Sequence, residues 1–360
     1  MKYIDEYRNP ELVHKLADEI AATVTRKWHI MEICGGQTHA IMKYNLIELL
    51  PEEITLIHGP GCPVCVTPVE KIDRALAIAY SDKTILTSFG DMMRVPGSES
   101  DLLKARSEGC DIRMVYSPLD AVDIATANPH MSVIFFAIGF ETTAPANALA
   151  LLKATRLNIS NFFLLASPVL VPPAIHTILS AKDTNIDGLL APGHVCAVTG
   201  SEDYIRISEQ FRIPVAITGF EPVDILKGIL ATVRMLENGI NELTNCYRRS
   251  VRKNGNIHAL KTMYEVFEIC DMRWRGIGLI RGSGLSIKEK YSAFDAEKKF
   301  DFSTTYRHDP GICIAGAVLS GRLRPSDCPA FARACTPENP LGAPMVSSEG
   351  ACAAYYKYSS

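Results

Sequence analysis

Eight short apolar runs, separated by helical patterns, limit this chain to few architectures. They cover residues 30–33, 54–57, 84–89, 112–116, 133–138, 162–166, 188–191 and 215–218. Most are continuous rather than alternating, as expected of strands covered on both faces of a parallel sheet. Periodicity predicts helices between them, at 68–80, 102–108 and 144–154. Asn9-Pro10-Glu11 predicts a further helix start, with Leu12, Leu16, Ile20 and Val24 as its apolar stripe. Strand, helix and strand in such repetition predict a doubly wound α/β fold.

Bulk properties narrow the function. The 360 residues allow two or three domains, and a net charge of −3 gives no nucleic-acid footprint. No apolar stretch reaches the length of a membrane span, and the first residues do not read as a signal peptide, so a cytoplasmic protein is expected. Eleven cysteines are many for that compartment, where structural disulfides are rare. Cys110, Cys196, Cys246 and Cys270 have no motif around them and read as ordinary thiols. No P-loop is present, and the glycine pattern at Gly276 and Gly278 fails the dinucleotide fingerprint.

The strand ends carry the chemistry. In open α/β sheets ligands bind at the carboxyl ends of strands. Here the runs stop at Cys34-Gly35-Gly36-Gln37-Thr38-His39, at His58 to Cys65, at Gly90-Asp91, at Gly139-Phe140-Glu141, at Pro192-Gly193-His194 and at Gly219-Phe220-Glu221. Cys34 on a glycine turn, with His39 about one helical turn on, reads as an activated thiol or a metal ligand. Cys62-Pro63-Val64-Cys65 reads as a redox pair ahead of a helix for which Thr67, Pro68 and Glu70 predict a capping box. The dipole of that helix would favour one thiolate. The repeated Gly-Phe-Glu is read as two similar α/β units or as one recurring turn. Glu141, Glu221, His194 and Asp91 are candidate contacts without an assigned role.

A composition change near residue 250 leads to a tail rich in proline and glycine, where Cys313, Cys328, Cys335 and Cys352 stand as C-x14-C-x6-C-x16-C. Four thiols without a competing histidine suit zinc or an iron–sulfur cluster, which would order a segment that lacks a core.

Together these motifs resemble the hydrogenase maturation factor HypD family, over nearly the whole chain. The residues that carry the resemblance include Met31 to Gly36, His58 to Cys65, Gly90 to Gly97, Gly139 to Thr143, Ala191 to Val195, Gly219 to Pro222 and Ser347 to Cys352. The resemblance implies two Rossmann-like parallel-sheet domains plus a C-terminal iron–sulfur domain, divided here as 1–127, 128–248 and 249–360. It implies a [4Fe-4S] cluster on Cys313, Cys328, Cys335 and Cys352, and Cys34 as ligand of a nascent iron. Cys62 and Cys65 would be a redox-active pair. It further implies partnership with a HypC-type chaperone and with HypE, the cyanide donor, in assembling an Fe(CN)2CO unit. His39 is the proton-transfer candidate, because Gln37 stands where some members carry histidine. The alternative reading is a thiol–disulfide oxidoreductase fed by an iron–sulfur cluster, which needs Cys62 and Cys65 but not Cys34.

Overall fold

The computed structural model describes residues 4–300 and 311–358. All eight apolar runs are strands: β1 (Trp28–Glu32), β2 (Ile54–His58), β3 (Thr84–Ser88), β4 (Ile112–Met114), β5 (Ser132–Gly139), β6 (Phe162–Pro168), β7 (Gly188–Pro192) and β8 (Val215–Thr218). A short edge strand β9 (Leu243–Asn245) and an antiparallel hairpin, β10 (Phe267–Trp274) and β11 (Gly278–Ile287), complete the set. Gly276 and Gly278, both at positive φ, turn that hairpin, which accounts for the near-miss of a nucleotide-binding pattern there.

Two parallel sheets result, with strand orders β2-β1-β7-β8-β9 and β4-β3-β5-β6. Continuous apolar runs reflect burial on both faces. On β5, Ile134 and Phe136 pack in one apolar cluster and Phe135 in another. On β7, Leu190 faces away from Leu189 and Ala191 in the same manner. A further cluster joins the sheets, since Met31 and Ile33 of the first region pack in it with Phe140, Val169 and Val171 of the second.

The expected boundary between 127 and 128 does not follow the sheets. It cuts the second sheet between β4 and β5, whereas the first sheet takes strands from both 28–58 and 188–245. The chain leaves the first sheet after β2, builds the whole second sheet and returns at β7. Apolar runs reveal strands but carry no information about strand neighbours. The boundary expected at 249 moves too. Met263, Val266, Phe267, Leu285 and Ile287 pack with Phe135 and Leu164 against the second sheet, while Met272, Trp274 and Ile280 of the hairpin pack with Met31 and Leu189 of the first.

The first helix, Pro10–Thr23, is capped by the Asn9 side chain, which accepts from the Leu12 N–H. Its buried face is Val13, Leu16, Ala17 and Ile20, rotated from the predicted stripe so that Leu12 is only half-covered.

Candidate functional site

The first sheet has a topological switch point. From β1 the chain order runs outward to β2 on one side, and from β7 to β8 and β9 on the other. A crevice therefore opens at the carboxyl ends of β1 and β7, where α/β sheets bind ligands. Cys34 follows β1 and His194 follows β7, and the Cys34 Sγ lies 3.6 Å from His194 Nδ1. Cys34 is the N-cap of helix Gly35–Lys43.

Close backbone approach walls this thiol. A Cβ on Gly61 would stand 2.2 Å from the Cys34 nitrogen, and one on Gly35 would stand 2.6 Å from the Glu349 Cβ. A Cβ on Gly36 would press on the Phe220 ring at 3.2 Å. The glycines in Cys34-Gly35-Gly36 and Gly59-Pro60-Gly61 thus let three segments meet around one sulfur. Burial pushes the Cys34 thiol well up, and the carboxylates of Glu32 and Glu349 add to this against the amides at the helix start. Burial lowers His194 to about 4, so its imidazole is neutral and Nδ1 can accept the thiol hydrogen. Both shifts favour the protonated form of this shielded thiol.

The histidine beside Cys34 is His194 and not His39. Helix Gly35–Lys43 carries His39 to the C-terminal segment, where Nδ1 meets the Ser348 carbonyl at 3.1 Å and the ring lies edge-on to Tyr358. Gln37 is buried, and its amide donates to the carbonyls of Ala191 and Thr218, tying together the ends of β7 and β8.

Cys62 and Cys65 are joined as a disulfide, with Cα atoms 5.2 Å apart, and both are buried. The predicted capping box does not form. Thr67 instead ends a one-turn helix, Pro63–Val66, and its hydroxyl donates to the Pro63 carbonyl. Pro68 stands at the cap of the next helix, Val69–Ala79, without a side-chain hydrogen bond. Cys62 is itself the cap of the short helix, and its Sγ accepts from the Cys65 N–H at 3.3 Å. Local spacing predicted a cap at Thr67, but a proline-started turn through the two cysteines takes that threonine first. The loop is stitched to the Cys34 turn: Gly59 N–H donates to the Glu32 carbonyl, and Gly35 N–H to the Gly61 carbonyl, each at 2.8 Å.

Cys313, Cys328 and Cys335 all lie near enough to Cys352 to act on its charge. Burial raises the Cys352 thiol, and Cys313, Cys335 and Cys328 raise it further through charge. Cys335 packs with Ala330, Met345 and Ala353, with Cys328 and Cys352 at the edge of the same cluster. The Leu341 N–H donates to Cys335 Sγ at 3.4 Å. A Cβ on Gly342 would lie 2.3 Å from Cys313 Sγ. An all-thiol donor set in an apolar cradle with an amide donor fits an iron–sulfur cluster. Among the described residues no three His, Cys, Asp or Glu side chains form a group for a single metal ion. A multi-iron group, which Cys313, Cys328, Cys335 and Cys352 would hold, does not require a compact site for one ion. The segment leans on the turn that follows β3: Arg94 donates to the carbonyls of Pro337 and Val346, and Ser347 donates to Asp91 Oδ2 at 2.7 Å.

The two Gly-Phe-Glu tripeptides occupy different places. Glu221 pairs with Arg8 at 2.8 Å at the start of helix Pro222–Glu237. Glu141 is buried after β5: one oxygen accepts from the Val171 N–H at 2.9 Å, and the other has no partner among the described residues. Burial raises Glu141 to about 7, with a smaller push from Asp203. Between pH 4.5 and about 7 the folded protein holds a proton that the unfolded chain has released. Stability therefore falls as pH rises through that window. In denaturant titrations, Glu141→Gln should lack this slope and gain on wild type by on the order of 3 kcal/mol across it. Parallel profiles for the two proteins would mean that Glu141 ionises freely.

Comparison with known proteins agrees with the motifs. Residues 11–359 match the family model HypD, described as the Hydrogenase formation hypA family. A "Hydrogenase maturation factor HypD" of Rhizobium leguminosarum bv. viciae is 46% identical, the match covering 99% of this chain and 96% of that protein. Proteins of the same description from Azotobacter vinelandii and Escherichia coli K12 are 44% and 42% identical, over 97% and 98% of their own lengths and 99% of this chain. No helix among the described residues is long and apolar enough to cross a membrane.

Proposed function

We infer the role of this protein from its family: the chain belongs to the HypD family of hydrogenase maturation factors. Within that role it is a cytoplasmic scaffold, with a HypC-type chaperone and with HypE as cyanide donor, for assembly of the Fe(CN)2CO unit. The observation that carries this reading is the Cys34 thiol, enclosed at the switch between β1 and β7 and stitched by backbone to the Cys62–Cys65 loop.

Cys34 binds the iron cargo. Its proton leaves when a metal takes its place, which reconciles a raised thiol pKa with metal ligation. Neutral His194 is the nearest acceptor for that proton. Phe220 and the glycine-lined backbone exclude water from the bound iron. Cys313, Cys328, Cys335 and Cys352 hold a [4Fe-4S] cluster, which supplies single electrons when bound. Cys62 and Cys65 form the local two-electron store: the dithiol closes to a disulfide, passing two electrons to the iron unit under assembly and releasing two protons. The oxidoreductase alternative leaves the enclosure of Cys34 without a purpose.

Infrared spectra of the protein purified with its HypC-type partner should show cyanide and CO stretches. Their absence from a complex that supports maturation would overturn the scaffold reading. The dithiol reading has its own test. Differential alkylation and mass spectrometry should find the Cys62–Cys65 bond in oxidised protein and two alkylated thiols after mild reduction. A pair that stays in one state throughout would not be a relay.

A further inference from the structure

Glu32 is buried without exposure at the end of β1, and its carboxylate is a junction. Oε2 accepts the Cys34 N–H at 2.8 Å, and Oε1 meets His58 Nδ1 at 2.7 Å and the Thr38 hydroxyl. His58 ends β2 directly opposite Glu32 in register, and the next residue opens the loop that carries the disulfide. Sheet packing does not require this pair. One register step earlier Met31 and Ile57 stand opposite each other, buried and apolar. A buried carboxylate is costly unless it is fully hydrogen-bonded, so a polar pair at this position needs a reason beyond packing.

The surroundings supply one. Glu32 holds Cys34 with its side chain and the disulfide loop with its backbone, since the Gly59 N–H donates to its carbonyl. His58 fixes the carboxylate from the strand that feeds that loop. Its other ring nitrogen, Nε2, has no partner among the described residues, and the ring lies edge-on to Tyr355 at 5.5 Å. Beside it is a cavity of about 430 Å³ lined by Asn185, Arg322 and Arg324.

We propose that Glu32 and His58 are a positioning pair that couples the Cys34 thiol to the oxidation state of the Cys62–Cys65 loop. The proposal rests on reading these three cysteines as working thiols. Opening the disulfide loosens the backbone that lies over the Cys34 nitrogen at Gly61. The Glu32–His58 hydrogen bond transmits that change because it joins the roots of both segments.

The test uses the full-length protein under anaerobic conditions. Iodoacetamide labelling of Cys34, resolved by peptide mass spectrometry, is timed in the oxidised wild type and in a Cys62→Ser/Cys65→Ser variant that cannot close the bond. Labelling should be about tenfold faster in the second, within the usual range for coupling between two sites. His58→Leu added to both backgrounds should bring the two rates together. His58→Asn, which keeps an N–H donor near the Nδ1 position, should keep them apart. Thermal melting checks the fold, and Glu32→Gln replaces His58→Leu if the latter does not fold. Equal rates in the two starting proteins, a difference that survives His58→Leu, or one that His58→Asn also erases would each overturn the proposal. Failure here leaves the infrared test of the scaffold untouched.

Discussion

Cys34→Ala is expected to leave the fold and the tail cysteines intact while abolishing the cyanide and CO bands of the complex. The side chain is small and the surrounding walls are backbone, so removing one sulfur should cost only about 1 kcal/mol. Cys328, Cys335 and Cys352 lie in a separate apolar cluster. The functional loss should nevertheless be complete. Among the described residues, His194 meets no cysteine sulfur but that of Cys34. Hydrogenase maturation in cells carrying the variant should fall to background, with the purified variant melting within a few degrees of wild type. Normal infrared bands from Cys34→Ala would move the iron to Cys62 or Cys65 and leave Cys34 as a packing residue.

The fold was legible wherever burial alone writes the pattern. Strands such as β5 and β6 are covered on both faces, so their residues are apolar without interruption and stand out in any reading. The edge strand β9 is only half-buried along its length and left no such mark. The hairpin of β10 and β11 mixes buried and exposed residues with a register shift near Cys270, which blurs its alternation. Sheet membership was not legible, because it depends on where the chain crosses over.

The site follows the same division. Cys34, Cys62 and Cys65 announced themselves as thiols at strand ends. His194 did too, but its pairing with Cys34 spans 160 residues and requires β7 to lie beside β1. His39 is the candidate that stands closest to Gln37, where some members of the family carry histidine, yet its helix points it to Ser348. Glu32 and His58 lie inside motifs that were noticed for their cysteines, and only the parallel register of β1 and β2 brings the two together.

Cys335→Ala should remove the cluster and unfasten the tail. Cys335 is the most buried of the four cysteines, its sulfur takes the Leu341 N–H, and it sits in the small apolar cluster with Met345 and Ala353. The segment from 311 onward has little core of its own: its helices are short, and beyond the small cluster around Cys335 it holds on through single residues set into the neighbouring cores, such as Leu319, Val346 and Ala354. Where order depends on a bound group, the group's binding energy is folding energy. The wild type should be brown and contain iron and sulfide, which also excludes a zinc site. The variant should be pale and should lose both elements. Limited proteolysis should then cut within residues 311–358 while the two sheets survive, because their cores take only a few residues, Ala343, Val346 and Ala354 among them, from that segment. Secondary damage should reach Cys34, since Glu349 of the same segment packs on Gly35. Iodoacetamide should therefore label Cys34 faster in the variant than in wild type. A Cys335→Ala protein that keeps its full iron and sulfide would remove Cys335 from the ligand set, and one that loses both yet resists protease would show that the tail folds without the cluster.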